Sequence, residues 1–183
     1  MELWDLYDEN RVKLGRTMVR GEKQPAGVYR IVVHACIFNS QGQMLIQQRQ
    51  PFKSGWSNMW DVTVGGSAVS GDTSCTAVVE RELFEELGLD VSFEGILPSI
   101  TVTPDGIFDD FYITVRDDIE LSKLELQYTE VQRVKWADQN EIIAMIDDGS
   151  FIPYSKSFID LLFVLRNTKG VLTDKDRSVP THQ

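Results

Sequence analysis

The amino-acid sequence predicts a single domain of the α/β or α+β class, in which a mixed β-sheet packs against a few α-helices. Two observations lead to this prediction. Runs rich in β-branched residues alternate along the chain with segments whose apolar residues recur at helical spacing. The chain also has 183 residues, 42% of them hydrophobic, which is enough for one domain with a substantial core.

Strands are predicted where β-branched and aromatic residues cluster between turn-forming residues. The first 28 residues, judged by their turn and charge content, are expected to form an arm with short hairpin elements. A hairpin follows, and Gly65-Gly66 is expected to end the next strand. The predicted strands are 29–38, 44–48, 60–64, 91–102, 107–115 and 131–136.

Three helices are predicted from apolar periodicity and from residues that begin or end helices. Asp72, Thr73 or Ser74 could cap the first of them, and Gly88 ends it. The predicted helices are 74–87, 140–146 and 155–165. The expected organisation is therefore an arm (1–28), a folded domain (29–166) and a polar, mobile tail (167–183).

Charge and cysteine usage exclude several classes of function. The formal net charge of -10 argues against charge-driven binding to nucleic acid or to an anionic membrane. The acidic start lacks a basic segment followed by an apolar one, and no apolar run approaches the ~20 residues that span a bilayer. Cys36 and Cys75 form no CxxC pair, so zinc and redox functions have little support. The sequence thus predicts a cytoplasmic protein.

The first predicted helix carries three carboxylates on one face. Glu82, Glu85 and Glu86 stand at positions i, i+3 and i+4, where like charges repel. A hard divalent cation such as Mg²⁺ would reverse this repulsion, because it takes oxygen ligands. A solvated acidic face is the alternative for the helix alone. The glycine-rich loop before the helix favours the cation, since such loops let the backbone approach a phosphate or a metal.

The segment 81–89, RELFEELGL, resembles the second half of the Nudix box at every defined position. In the first half, Gly66 and Asp72 reproduce the opening glycine and acid, with Asp in place of Glu. Eight residues rather than seven then precede Arg81, and strict spacing would place Thr73 at the acidic position. We interpret the difference as one extra residue in a loop near the helix start. The extra residue affects the expected pairing of Arg81 with Asp72. It does not change the spacing of Glu82, Glu85 and Glu86.

The resemblance implies a mixed sheet sandwiched between helices, and attack of water on phosphorus. The substrate would carry a diphosphate linkage, as in a nucleoside diphosphate derivative or a related small phosphorylated metabolite. The resemblance assigns magnesium, with manganese as the alternative, to Glu82, Glu85, Glu86 and a backbone carbonyl near Gly66. Glu85 or Glu86 would double as the base, unless Glu130, from a later loop, takes that role. A solvated position before a strand is the alternative for Glu130.

Residues 4–147 further resemble the Nudix branch that includes type I isopentenyl diphosphate isomerase. Arg49 and Lys53 match the cations that hold the diphosphate in that isomerase, although two ordinary surface cations would fit the sequence equally well. The isomerase also needs a cysteine just before a Gly-His pair, where this chain has Val64-Gly65-Gly66. Hydrolysis is therefore predicted over isomerisation.

Three further expectations complete the sequence prediction. His34 lies in an apolar run and is expected to be a packed strand residue rather than a ligand, and the histidine ligand of the isomerase falls at about Arg30. A non-catalytic sensor of a phosphorylated metabolite is disfavoured, since such proteins tend to lose box carboxylates. The expected partner is a small diphosphate compound. The N-terminal arm could dock on a second copy of the chain, so the sequence also allows a homodimer.

Overall fold

The computed structural model describes residues 2–168 and contains nine strands and three α-helices in this range, with a short 3₁₀ helix at Leu121–Lys123. The strands are β1 Leu3–Tyr7, β2 Lys13–Val19, β3 Arg30–Phe38, β4 Met44–Arg49, β5 Trp60–Asp61, β6 Val64–Ser67, β7 Ile100–Val102, β8 Ile107–Val115 and β9 Val131–Ala137. The helices are α1 Cys75–Leu87, α2 Gln139–Asp147 and α3 Lys156–Leu165. None of these helices combines the length and the apolar character needed to cross a membrane.

Seven strands form one mixed sheet. Its main path runs β5-β4-β3-β8-β7, with β6 also paired to β3 and β9 to β4. β3 and β8 run parallel, with Arg30 opposite Ile107, and the other pairs are antiparallel. Strands β3 and β4 pair at one position of the described chain, Phe38 opposite Met44. Elsewhere β3 pairs with β6 and β8, and β4 pairs with β5 and β9.

Helices cover both faces of this sheet. The side chains of β3 alternate between the two faces, so this strand contributes to the core on each side. One core cluster joins α1 to β3 through Ile31, Val33, Ala35, Ile37, Val78, Val79, Leu83 and Leu87. The other joins α2 and α3 to the opposite face through Cys36, Phe38, Met44, Ile46, Ile142, Met145, Ile159, Leu162 and Phe163. The predicted fold class, a mixed sheet sandwiched between helices, is confirmed.

Helix α1 begins and ends where its sequence signals predict. The Ser74 side chain accepts a hydrogen bond from the Ala77 backbone N–H at 3.0 Å, so Ser74 is the cap among the three candidates. Gly88 has a φ of 66°, and its N–H donates to the carbonyls of Leu83 and Phe84. Asp72 instead accepts from the Val69 N–H and closes the turn before the helix.

Two strand predictions are wrong. The predicted strand 60–64 is divided between β5 and β6, with residues 62–63 in neither. Gly65-Gly66 does not end a strand but lies inside β6, opposite His34 and Val33. A Cβ at Gly65 would stand 2.6 Å from His34 Nδ1, so the glycine makes room for a side chain of the neighbouring strand. Residues 91–99 form no strand, because Gly95 takes a left-handed φ of 74° and the chain turns there.

The N-terminal segment forms a separate two-stranded hairpin of β1 and β2. It attaches to the domain through a β-bridge between Tyr7 and Tyr29 and through Arg11, which bonds Asp110 of β8. The division into arm, domain and tail stays a prediction. Most of the predicted tail, 169–183, lies outside the described residues.

Candidate active site

A cleft of about 810 Å³ collects most of the residues that the sequence singled out. This volume is in the range of small-molecule sites. Its wall includes Glu82, Glu85, Glu86, Gly66, Glu130 and Arg49, together with Glu2, Arg20 and Arg30 from the hairpin side. Lys53 is not among the residues that line it.

The three glutamates of α1 differ in their exposure to solvent. Glu86 is 5% exposed, and its Oε2 accepts a hydrogen bond from Gln47 Nε2 at 2.9 Å. Glu82 is largely buried beside it, whereas the Glu85 side chain is about half exposed at the rim. The helical spacing therefore places two carboxylates inside the cleft and the third at its edge.

Burial makes both inner carboxyl groups weaker acids. Desolvation raises the pKa of Glu86 from 4.5 to about 8, and the nearby charges of Glu82 and Glu130 act in the same direction. Desolvation likewise raises the pKa of Glu82 to about 7, although Arg81 opposes the shift. Nothing with a full positive charge contacts Glu86 within the described chain. Holding it ionised there without a cation is unfavourable.

Arg81 connects the glutamates to the loop that precedes α1. Its guanidinium lies 3.1 Å from Asp72, 2.9 Å from Glu82 and 3.2 Å from Glu85. The pairing with Asp72 thus forms despite the extra residue in the first half of the box. Gly71, with a φ of 108°, lies in the turn just before Asp72.

Gly66 provides the space in which Glu82 sits. A Cβ at this position would lie 2.1 Å from the Glu82 carboxyl group, so any other residue would displace it. Carboxylate oxygens and a backbone carbonyl are the donor types that Mg²⁺ takes. The chemistry of this donor set therefore fits a hard divalent cation. Within residues 2–168, however, no three acidic, histidine or cysteine side chains already converge on a metal position, and Arg81 holds Glu82 and Glu85.

The cations predicted to hold the diphosphate lie in two different environments. Arg49 lines the cleft and donates from Nε to the Gly55 carbonyl at 3.2 Å. Lys53 Nζ lies 2.5 Å from Glu130, the candidate base, so the two predicted residues neutralise each other. The roles of Arg49 and Lys53 in binding the diphosphate stay predictions. The ion pair between Lys53 and Glu130 would have to open before either of these two residues could act on a substrate.

The cleft also contains polar residues that sequence reasoning did not identify as functional. Asp61 is 6% exposed, accepts a hydrogen bond from the Tyr154 hydroxyl at 3.0 Å, and has its pKa raised by burial. His34 stacks on Phe111, with ring centroids 4.5 Å apart, so it packs as predicted, yet it also lines the cleft. No local signal marks Asp61 and Tyr154, because they meet only through the fold.

Comparison with known proteins places this arrangement in a family. The model of the NUDIX domain matches residues 28–159. An uncharacterized Nudix hydrolase of Listeria monocytogenes is 43% identical over 171 residues, which cover 93% of this chain and 99% of the relative. An isopentenyl-diphosphate Delta-isomerase of Escherichia coli is 29% identical over 115 residues, covering 61% of this chain and 63% of the relative.

Solved structures agree with the fold. A Deinococcus radiodurans protein is similar with a TM-score of 0.67 and 25% identity, over 88% of this chain and 97% of that one. A bifunctional NMN adenylyltransferase/ADP ribose pyrophosphatase of Francisella tularensis, complexed with AMP and a manganese ion, has a TM-score of 0.56 and 16% identity, over 80% of this chain and 43% of that one. The fold and the glutamate helix thus define a Nudix-domain enzyme. The chain belongs to the Nudix hydrolase family.

Proposed function

We propose that this protein hydrolyses a diphosphate linkage in a nucleoside diphosphate derivative or a related small phosphorylated metabolite, with magnesium as the cofactor. The observation that carries the proposal is Glu86, a carboxylate buried in a cleft, whose side chain has only a neutral amide as its partner among residues 2–168. A buried carboxylate without a cation is unstable in its charged form. Beside it, Glu82 occupies the space that Gly66 leaves free.

Glu82, Glu85 and Glu86, with the backbone carbonyl of Gly66, would hold the cation. Bound there, magnesium or manganese would polarise a phosphoryl oxygen and lower the pKa of a water molecule. Arg81 keeps Glu82 and Glu85 in position from the side of the loop. Arg49 faces the cleft without a carboxylate partner in the described chain and is suited to binding phosphate oxygens.

Three carboxylates are candidates for the general base. Glu86 is the deepest and has the most strongly raised pKa, about 8, so it retains a proton near neutral pH until a cation is bound. Glu85 is about half exposed at the rim, where water has access. Glu130 lines the cleft but is paired with Lys53. The accessible position of Glu85 favours it as the proton acceptor, with Glu86 as the metal ligand.

Two observations bear on the nature of the substrate. The Francisella tularensis neighbour binds AMP and manganese, and its name includes ADP ribose pyrophosphatase activity. In this chain Trp56, half exposed at the rim of the cleft, offers a flat apolar surface to a planar group. These features favour a nucleoside diphosphate derivative among the candidate substrates.

Isomerisation is the rival activity, and the site argues against it. The chain has two cysteines, and neither lines the cleft in the described structure. Cys36 is fully buried in the core, and burial raises the pKa of its thiol. Cys75 lies on a separate pocket at the start of α1, beside Arg11. A thiol is therefore not positioned to exchange protons with a substrate in this cleft.

A phosphorus NMR screen with magnesium would test the proposal. The panel would contain nucleoside diphosphate derivatives, nucleoside triphosphates and isopentenyl diphosphate. Wild-type protein should release monophosphate or pyrophosphate from at least one compound. Glu86→Gln should lower kcat about a thousandfold or more, since metal sites supply several kcal/mol of transition-state stabilisation.

The matched control is Glu94→Gln, which neutralises an exposed glutamate outside the cleft. It should leave kcat unchanged. Near wild-type turnover by Glu86→Gln would refute the metal-helix assignment. Rearrangement of isopentenyl diphosphate without phosphate release would establish the isomerase instead. Magnesium-dependent ligand binding without any turnover would indicate a sensor.

A further inference from the structure

We propose that Arg30, held against Trp4 of the N-terminal hairpin, binds a phosphate group of the substrate at the hairpin end of the cleft. The inference deepens the proposed function and rests on it for the identity of the substrate. It adds to the active site a part of the chain, residues 2–20, that precedes the NUDIX match at 28–159.

The fold fixes the guanidinium of Arg30 at the wall of the cleft. Arg30 is the first residue of β3, and its Cζ lies 4.6 Å from the centroid of the Trp4 ring. Its Nη1 donates to Ser67 Oγ at 3.3 Å, next to the glycine that accommodates Glu82. Stacking on an indole restrains the plane of a guanidinium while its N–H edges stay available for hydrogen bonds.

The charge of Arg30 has no acidic partner in contact. Arg11, Arg20 and Arg81 each form an ion pair with a carboxylate, whereas within residues 2–168 no carboxylate lies within 4.0 Å of Arg30. Partial burial lowers the pKa of Arg30. The charge of Asp109 opposes this shift without cancelling it, and the charge of Arg20 adds to it. A half-buried cation without a carboxylate in contact favours the arrival of an anion.

A phosphate group of the substrate suits this position. The planar fork of a guanidinium matches two oxygens of a phosphate in a bidentate pair. Glu82, Glu85 and Glu86 line the cleft. Arg30 and Arg49 line it too, and within residues 2–168 neither forms an ion pair with a carboxylate. A phosphorylated substrate whose metal-bound phosphate lies at the glutamates would place a neighbouring phosphate in the same cleft as these cations.

The competing explanation is that Arg30 merely anchors the hairpin. Removing an anchor lowers stability and leaves substrate affinity unchanged in the folded protein. Removing a phosphate ligand raises KM. Arg30→Met keeps most of the apolar stem and loses the charge, and Arg30→Lys keeps the charge and loses the fork. Arg16→Met is the matched control, because Arg16 is an exposed arginine on β2 of the same hairpin and lies outside the cleft.

Two measurements test the proposal, the first independent of turnover. Inorganic pyrophosphate would be titrated into metal-free protein while the indole N–H resonance of Trp4 is followed, with Trp4→Phe used for its assignment. The resonance should shift in the wild type and in Arg16→Met, and should stay in place in Arg30→Met. An unshifted Trp4 signal in the wild type at millimolar pyrophosphate would overturn the proposal, even if no Arg30 variant folds.

The second measurement is steady-state kinetics on the substrate that the phosphorus screen identifies. Arg30→Met should raise KM about tenfold or more, the cost of one charge-assisted hydrogen bond, with a much smaller change in kcat. Arg30→Lys should recover part of the loss. An unchanged KM combined with a lower melting temperature would show an anchor and overturn the proposal. Absence of any wild-type turnover would refute the proposed function alone, because the pyrophosphate titration decides the role of Arg30.

Discussion

Two buried carboxylates of this molecule have opposite relations to their surroundings. Asp110 in β8 is 0% exposed, and Arg11 donates to both of its oxygens, with the Thr101 hydroxyl donating at 2.6 Å. Glu86 in α1 is 5% exposed and, within residues 2–168, has one side-chain donor, the neutral amide of Gln47. Both are acids that the fold removes from water, but in this part of the chain only Asp110 is in contact with a cation.

We interpret the difference as that between a structural carboxylate and a proposed metal ligand. Asp110 joins the N-terminal hairpin to the central sheet, and its charge is balanced as soon as the chain is folded. Glu86 opens on a cleft, where the proposed magnesium ion would supply the balancing charge. Burial alone would not distinguish the two residues. The identity of the hydrogen-bond donors does.

The largest effect on stability is expected at the balanced site. Arg11→Met should lower the free energy of unfolding by about 3 kcal/mol, because it leaves the Asp110 charge buried and unpaired. Urea denaturation would measure this loss, with the exposed Arg16→Met as the control expected to change little. The comparison fails if Arg11→Met is as stable as the control.

A smaller effect of opposite sign is expected at the unbalanced site. The pKa values of Glu86 and Glu82 rise from 4.5 to about 8 and about 7 on folding, so the folded state binds more protons than the unfolded state in this interval. Without metal, stability should therefore fall as the pH rises from about 4.5 to 8. Glu86→Gln removes part of that slope and should be about 2 kcal/mol more stable than the wild type at pH 8.

Unfolding curves in chelator at pH 5 and pH 8 would measure this difference. Glu94→Gln, an exposed glutamate with the same change of charge, should follow the wild type. Added magnesium should stabilise the wild type more than Glu86→Gln, because it binds the folded state selectively. A Glu86→Gln protein less stable than the wild type at pH 8 in chelator would contradict the comparison.

The smallest effect concerns the neutral donors of the two carboxylates. Thr101→Val removes the hydroxyl that donates to Asp110 and should cost about 1 kcal/mol of stability, since Arg11 stays in place.

Gln47→Met removes the only donor to the Glu86 side chain in the described structure. It should raise the pKa of Glu86 further, which carbon-detected NMR of the labelled carboxyl group would measure. If Thr101→Val and Gln47→Met lowered the free energy of unfolding equally at pH 8, Asp110 and Glu86 would depend equally on their neutral donors. The distinction between the two carboxylates would then be lost.

Local patterns predicted most of the framework and the central part of the site. The strands at 30–38 and 107–115 and the helix that begins after Ser74 follow from β-branched runs and capping residues. The contact of Arg81 with Asp72 also fits the choice of one extra loop residue over strict spacing. These features depend on neighbours a few positions away, which is why the sequence alone reveals them.

The errors and omissions share a dependence on distant residues. Gly65-Gly66 looked like a strand end because the side chains that need its space, His34 and Glu82, come from other elements. Asp61 is placed beside Tyr154 by the packing of the segment before α3. Lys53 and Glu130 were each assigned a role, and only the fold shows that they contact each other.

The parallel pairing of β3 with β8 has a consequence for how the chain reaches its folded state. β3 is the central strand, and its whole length from Arg30 to Phe38 pairs with 107–115. During synthesis the first half of the chain therefore emerges with an unfilled strand edge and no completed core. Contacts between segments this far apart close slowly, since chain entropy opposes them until many form together. Cooperative assembly of the sheet thus waits until the ribosome has delivered more than half of the protein.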